Sequence, residues 1–503
     1  MKKNILILVL YLFSFVSGFS QKITYSPLLK KETINTDFKI IGRNGNNFLV
    51  YKNNYRRQYI TYYNEAMEYL EDVTLDDIPE KALNVEFLNQ KDKLIVIYQY
   101  QKSKIVYCDA LIISQDGKKI SDPVNLDTTS IGYFSENNIY GTSFSEDKNL
   151  ILIYKQNIKN GTITLATKLF DQQLNLLESF RNVNEFNQRK EEYSDCYVDN
   201  EGNFVYTKEQ RKNSNRNIEN IDLVVKKKGV DTAVVLSLPL ESKFIDVSYL
   251  KVDNLNKNYL INAFYYNENR GHIQGLYTVK VPVNNVSDYK SIFNTFSSNT
   301  ADEINSGDKR YAIDDLQPQQ MILKKNGGFL LVSESFYSET MNNYNTWNRN
   351  YYGSYPYSSY DYLPYNPYGY SQFWNNYNRT NNTRYFYNDI MVSEVDSSSQ
   401  LTWSTVIHKS QADVNRDDFL SYGLINSGGE IQFLYIDNNN KKEIVSRCGI
   451  KGSGDLQKYA TLKSNERGYE FMPKLSKQVG YSQLIIPFVY SNNLGFAKID
   501  FSL

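Results

Sequence analysis

Few side-chain types carry out chemistry in proteins, and this chain is sparing with them. It holds two histidines, His272 and His408, and three cysteines, Cys108, Cys196 and Cys448, spread over 503 residues. Neither histidine has a Cys, His or carboxylate neighbour at metal-ligand spacing, which removes the sequence basis for a zinc or iron centre. His408 ends the run Trp403-Ser404-Thr405-Val406-Ile407-His408-Lys409 and reads as a polar strand end. An odd number of widely spaced cysteines is no disulfide framework, so all three read as small buried side chains. No G-x-S-x-G, phosphate-binding loop or dinucleotide fingerprint occurs. The carboxylates offer more, because glycoside hydrolysis needs two of them flanking a cleft. Asp195, Asp222, Glu334 and Asp389 are candidates, but sequence gives them no mutual geometry. The reading is therefore of a chain without catalytic residues, metal or cofactor.

The strongest local signal is aromatic. Residues 336–387 consist almost wholly of Tyr, Asn, Ser, Gly and Pro, with no Lys and almost no Leu, Ile or Val. Such a segment lacks material for a core of its own. Ordinary strand sequence resumes on both sides, so it reads as a long loop inserted in a β scaffold. Tyr and Trp bury large areas, keep a polar handle and lose little rotamer freedom on ordering. They also concentrate at the energetic centres of interfaces. Trp347, Tyr351, Tyr352, Tyr355, Tyr357, Phe373 and Trp374 are the expected partner-binding residues. The same rings could instead stack on sugars, with Asn side chains holding hydroxyls.

A scaffold that could present this loop repeats along the chain. Apolar strands ending in an aromatic recur at 48–51 (FLVY), 94–98 (LIVIY), 150–154 (LILIY), 204–206 (FVY), 259–264 (YLINAF), 329–332 (FLLV), 431–435 (IQFLY) and 484–490 (LIIPFVY). Each follows a polar or Gly-rich turn and is read as the first strand of its unit. Their starts lie 46, 56, 54, 55, 70, 102 and 53 residues apart, and the 102-residue interval holds the aromatic insert. A period near 50 with several short strands per unit is the signature of a propeller blade. The expectation is an all-β propeller of seven or eight blades, eight preferred, forming one domain over residues 21–503. Its last unit is short of chain, so the segment 22–29 should pair with it and close the ring. Stacked β-sandwiches are the competing architecture. Residues 64–71 could form one short helix or a strand, and Lys226-Lys227-Lys228 reads as a solvated hairpin turn.

Composition narrows the setting. Lys+Arg and Asp+Glu are both 56, so the chain carries no electrostatic footprint for nucleic acid. Lys2 and Lys3, the apolar run 5–16 and Gly18-Phe19-Ser20 have the layout of a signal peptide over residues 1–20. The apolar run is shorter than a membrane span, and no other run is long enough to be one. No Cys follows the cleavage point. The expected location is the periplasm or the cell surface, in soluble form.

The segment around the insert carries a resemblance. Gly327-Gly328-Phe329-Leu330-Leu331-Val332-Ser333-Glu334-Ser335-Phe336-Tyr337 precedes it. Tyr385-Phe386-Tyr387-Asn388-Asp389-Ile390-Met391-Val392, then Leu401-Thr402-Trp403 and Ile407-His408-Lys409-Ser410-Gln411, follow. This resembles a group of largely uncharacterised exported β-repeat proteins of Bacteroidota, which carry an aromatic YYNDI strand and then a W…I-x-K-x-Q strand. Ser397-Ser398-Ser399-Gln400 stands where that group often has a Gly-containing turn. The resemblance implies envelope export and a β-repeat fold, and it brings no catalytic residues. The expectation is thus an exported, non-catalytic scaffold whose partner is an envelope or outer-membrane protein. A carbohydrate-binding protein and a glycan-active enzyme with carboxylates in the propeller channel are the alternatives.

Overall fold

The computed structural model describes residues 22–54, 57–132, 137–212, 217–269, 271–305, 315–341, 347–350, 383–437, 442, 444–464 and 468–501. The expected signal peptide lies outside them. Among the described residues the chain is almost entirely antiparallel β, with a single α-helix, Ser298–Asn305. No helix there is long and apolar enough to cross a membrane. Among the described residues the strands form eight blades, numbered in order at residues 37–74, 82–130, 140–185, 191–238, 244–295, 316–414, 422–463 and 470–500 with 22–25; seven of them consist of four strands consecutive in the chain, with short pieces added at some edges. One bridge, Ile218 to Ile245, links blades 4 and 5 by hydrogen bonding into a single sheet. First strands of successive blades touch one another on much of the way around, as Asp37–Asn44 touches Ala82–Asn89 and Phe244–Asp253 touches Leu316–Leu323. The fold is a β-propeller.

Its sequence signature has a simple cause. In blade 2 the strand Lys93–Lys102 sends Leu94, Val96 and Tyr98 into a cluster shared with blade 1. The alternate residues Ile95 and Ile97 enter a cluster shared with blade 3. A strand buried on both faces reads as a continuous apolar run rather than an alternation. Seven further clusters of this kind, counting the one shared with blade 3, stand between successive blades. One joins blade 8 to blade 1 through Phe38, Phe48, Tyr63, Ile485 and Phe496. Each fully buried side chain of this size contributes about 1.5–3 kcal/mol.

These doubly buried strands are the second of each blade, not the first. They are Asn47–Asn53, Lys93–Lys102, Leu150–Lys159, Phe204–Arg211, Asn258–Tyr266, Phe329–Met341, Glu430–Tyr435 and Gln483–Tyr490. Most first strands carry more polar side chains and so give a weaker signal. Blade 4's is split into Glu191–Tyr193 and Tyr197–Val198. The register of the repeat read from sequence therefore shifts by one strand, and the aromatic insert joins a second strand to a third.

The ring closes as expected. Lys22–Tyr25 pairs antiparallel with Asn493–Asp500 and supplies the outermost strand of blade 8. Tyr25 packs edge-on against Tyr469 and Phe488, with ring centroids 5.3 and 5.5 Å away. Beyond it Glu32, almost wholly buried, accepts a hydrogen bond from Lys52 Nζ at 2.6 Å, and Lys52 also donates to the Tyr63 hydroxyl at 2.7 Å. Backbone bonds from Ile34 to Asn492 and from Leu494 to Glu32 pin the same segment to blade 8.

Two local readings change. Residues 64–68 form a turn, closed by Asn64 Oδ1 accepting the Ala66 and Glu68 amides, and Tyr69–Thr74 is a strand. Of the lysine run, Lys226 is buried rather than solvated: it pairs with Glu178 of blade 3 at 2.7 Å and lies over the Phe180 ring. All three cysteines are free and buried. Deleting residues 22–25 should cost about 3–6 kcal/mol, given the apolar contacts of Ile23 and Tyr25. It should also expose the edge of Asn493–Asp500. Thermal unfolding with size-exclusion chromatography checks this; an unchanged midpoint and a monomeric product would refute closure by this strand.

Candidate functional site

In blades 2 and 3 the second and third strands meet in tight turns; in blade 3 Lys159 pairs with Thr162 across Asn160-Gly161. In blade 6 the same two strands, Phe329–Met341 and Thr383–Val395, run on past the core. After a bulge between Glu334 and Phe336, the ladder continues from Phe336↔Tyr387 to Thr340↔Thr383. Trp347–Asn350 pairs with Ser338–Met341 on one side, and Gln411–Val414 pairs with Arg384–Tyr387 on the other. Blade 6 thus extends into a second four-stranded sheet, the root of the tyrosine-rich segment. Residues 336–341 and 383–387, read from sequence as loop, are strand. Tyr337 stacks on Phe386 at 4.4 Å, and Phe336 packs on Tyr387 at 4.7 Å. Such cross-strand aromatic pairs contribute about 0.2–1 kcal/mol each.

Beneath this root lies a buried polar network. Glu334 and Lys409, whose side chains are both 0% exposed, form an ion pair of 2.7 Å. Ser421 Oγ donates to the other oxygen of Glu334 at 2.6 Å. Lys409 Nζ donates to the Tyr387 carbonyl and to Gln411 Oε1, while Gln411 Nε2 donates to the Ile436 carbonyl of blade 7. Burial pushes the Lys409 pKa below its ordinary value against the opposing pull of Glu334. A second arm runs from the Tyr387 hydroxyl, which donates to Asp417 at 2.9 Å and accepts from Lys474 Nζ of blade 8. Lys474 also donates to Asp417 at 2.6 Å. Asp389 accepts the Lys409 amide and faces His408 Nδ1 at 3.2 Å. Trp403 lies against Gly454 of blade 7, where φ is +88° and a Cβ would come within 2.7 Å of the ring. Tyr387, Asp389, Lys409 and Gln411 are thus structural members of one joint between blades 6, 7 and 8, and Trp403 belongs to the contact between blades 6 and 7.

Of the expected contact residues, Trp347 falls in the strand Trp347–Asn350. Tyr351, Tyr352, Tyr355, Tyr357, Phe373 and Trp374 lie outside the described residues. Of the candidate acids only Glu334 and Asp389 come together, both on Lys409. Asp195 accepts the Tyr154 hydroxyl, Asp222 accepts Ser237 Oγ, and Glu334 and Asp389 serve the joint. No hydrogen bond or ion pair among the described residues links any two of the four.

Sequence reasoning passed over another pair, Glu209 and Asp246, at the seam of blades 4 and 5. Ser248 Oγ donates to Glu209, and Arg211 donates to the Asp246 carbonyl while its guanidinium lies 3.8 Å from Glu209. Burial raises the Glu209 carboxyl to about 7 and the Asp246 carboxyl to about 6, in both cases against the opposing charge of Arg211. Carboxyls titrating so high are the kind that acid–base chemistry uses. Nothing in the local sequence marks them, because the low-dielectric seam arises only when two blades meet.

No family model matches this sequence, and no curated protein does. Among solved structures, dipeptidyl peptidase 4 of Porphyromonas gingivalis is similar with a TM-score of 0.45 and 8% identity, over 91% of this chain and 58% of that one. Prolyl oligopeptidase B from Galerina marginata, bound to a 35mer hydrolysis and macrocyclization substrate, gives 0.41 and 8% over 91% and 56%. The polysaccharide lyase Uly1 gives 0.37 and 8% over 82% and 89%. This chain spans somewhat more than half the length of those peptidases. Likenesses of this strength carry nothing about activity.

Two predictions follow from the geometry. Lys409→Met alone strands the Glu334 carboxylate and should cost about 3–5 kcal/mol, whereas Glu334→Leu with Lys409→Met should recover most of that loss. Denaturant unfolding of the two single variants and the double variant measures the coupling; additive losses would refute the pair. The second concerns pH. Glu209 and Asp246 have folded-state pKa values raised above the ordinary carboxyl value near 4. The folded chain therefore keeps protons that the unfolded chain has released between about pH 4 and 7, so their stabilising contribution is full below 4 and lost as pH rises to 7. The thermal midpoint of Glu209→Gln should fall less over that window than that of the unaltered chain. Equal slopes would contradict it.

Proposed function

We propose that this protein is a non-catalytic scaffold of the cell envelope that presents its tyrosine-rich segment to a protein partner. The observation that carries the reading is the anchored ribbon at the root of that segment. Among the described residues, only blade 6 extends its two central strands to 13 residues each. A fully buried ion pair and two neighbouring blades hold the base of that extension. A loop without a dedicated role needs no such foundation, since insertions at a propeller rim leave the core undisturbed. Rigid support of an aromatic surface lowers the ordering cost of binding, which is how a scaffold converts surface area into affinity. Export to the envelope rests on the layout of residues 1–20 and on the family resemblance.

Replacing residues 341–382 with Asn-Gly would join Thr340 to Thr383, paired neighbours in the ladder, through a two-residue hairpin turn. That chain should fold with a thermal midpoint close to the original. Crosslinking in intact cells followed by mass spectrometry should recover an envelope protein with the unaltered chain and lose it with the shortened one. Alanine at Trp347, Tyr351 or Trp374 should weaken the same crosslink. A folded, shortened chain that keeps its partners removes the proposal.

A further inference from the structure

A cleft of about 230 Å³ lies between blades 2 and 3. One wall is the outermost strand of blade 2, Val124–Ser130; the other is blade 3, from Leu150–Lys159 through Thr162–Asp171 to Leu176–Glu185. The register of blade 3 decides what faces this space. Lys155, Ala166 and Arg181 stand opposite one another across three strands, and Ile153, Lys168 and Ser179 form the next row on the same face. Deeper in, that face is apolar: Ile151, Ile153 and Phe170 pack against blade 2. Farther out it carries three cations.

Among the described residues, Asp127 of blade 2 is the sole acid lining the cleft. Its carboxylate binds Lys155 on one oxygen and Lys168, at 2.9 Å, on the other. Burial would raise its pKa, yet these two ammoniums hold it below the ordinary value. One carboxylate cannot neutralise two ammoniums, so a formal +1 remains. Arg181 is exposed on the cleft face, and no ion pair among the described residues uses it. Its guanidinium raises the excess to +2. Ala166, between Lys155 and Arg181, leaves open the volume that separates the cations. Ser179 adds a hydroxyl, and the Tyr140 ring lies 5.3 Å from Lys155 Nζ.

We infer that this cleft binds a compact oxyanion, a carboxylate, sulfate or phosphate group carried on a body no larger than one sugar ring. A liquid water occupies about 30 Å³, so the space holds several waters or one acidic monosaccharide. Arg181 supplies the planar donor fork that such groups take in two parallel hydrogen bonds. Lys155 and Lys168, kept in place by Asp127, supply the field.

Isothermal titration of the full chain at low ionic strength, with sodium glucuronate, sulfate and phosphate as separate titrants and glucose as the neutral control, tests it. Saturable binding of at least one anion, absent for glucose and weakened by added salt, is expected. Which anion binds tightest identifies the source of the charge. Arg181→Ala, at an exposed position, should weaken binding about tenfold. Ala166→Leu should abolish it by filling the cleft. Absence of saturable binding, or equal affinity in the unaltered chain and Arg181→Ala, overturns the inference.

Discussion

The structure depends on the pairing of Lys22–Tyr25 with Asn493–Asp500. In a propeller each blade buries its two faces only against its neighbours, so an open ring would leave two apolar faces in water. Here the two at risk are those of blades 8 and 1, which meet through Phe48, Tyr63, Ile485 and Phe496. The closing strand adds more than a ladder: its Ile23 and Tyr25 pack into the cluster between blades 7 and 8, and Ile34 behind it packs into the one between blades 8 and 1. The segment behind it, with Glu32 buried on Lys52, fastens the closure to blade 1 as well as to blade 8.

Buried charge recurs where blades must be held in one relation. Lys39 meets Glu86 across blades 1 and 2, Lys226 meets Glu178 across blades 4 and 3, and Lys474 of blade 8 meets Asp417. Such pairs are weak sources of stability, because desolvation offsets most of their attraction. They penalise any other packing severely, since a shifted register would leave a charge buried alone. An apolar face made of Leu, Ile and Val tolerates sliding; a lysine that must find one carboxylate does not. The joint below the tyrosine-rich segment applies the same device at higher density, where an extended ribbon would otherwise lever against its blade.

The propeller was legible because doubly buried strands such as 94–98 and 150–154 are loud in apolar residues and recur with a regular spacing. Their place within the blade was not, because most first strands, like Ala82–Asn89 with its Asn84 and Glu86, mix polar and apolar residues. Lys226 was misread for a related reason: charge in a K-K-K run suggests solvent, and its carboxylate partner lies 48 residues earlier. The joint residues Tyr387, Lys409 and Gln411 stood out as a pattern without a role, since Glu334, Ser421, Ile436 and Lys474 reach them only through the fold. The anion cleft was invisible for the same cause. Lys155, Lys168 and Arg181 are 13 residues apart in sequence, and only hairpin register puts them on one face.

Ring closure also bears on how the chain reaches its native state. Lys22 pairs with Asp500 across 478 positions of sequence, so the closing contact is highly non-local. Until then the groove beside Asn493–Asp500 is an open strand edge. The strand that fits it best is its own, but an identical strand from a second copy fits equally well. Exchange between copies would satisfy every native contact and produce a domain-swapped dimer. The bonds that hold residues 26–36 against both end blades keep the tether short and favour the chain's own strand. The strap around Glu32 is thus the hinge across which any such exchange would have to run, and its native bonds to Lys52, Asn492 and Leu494 would all have to be remade in the partner copy.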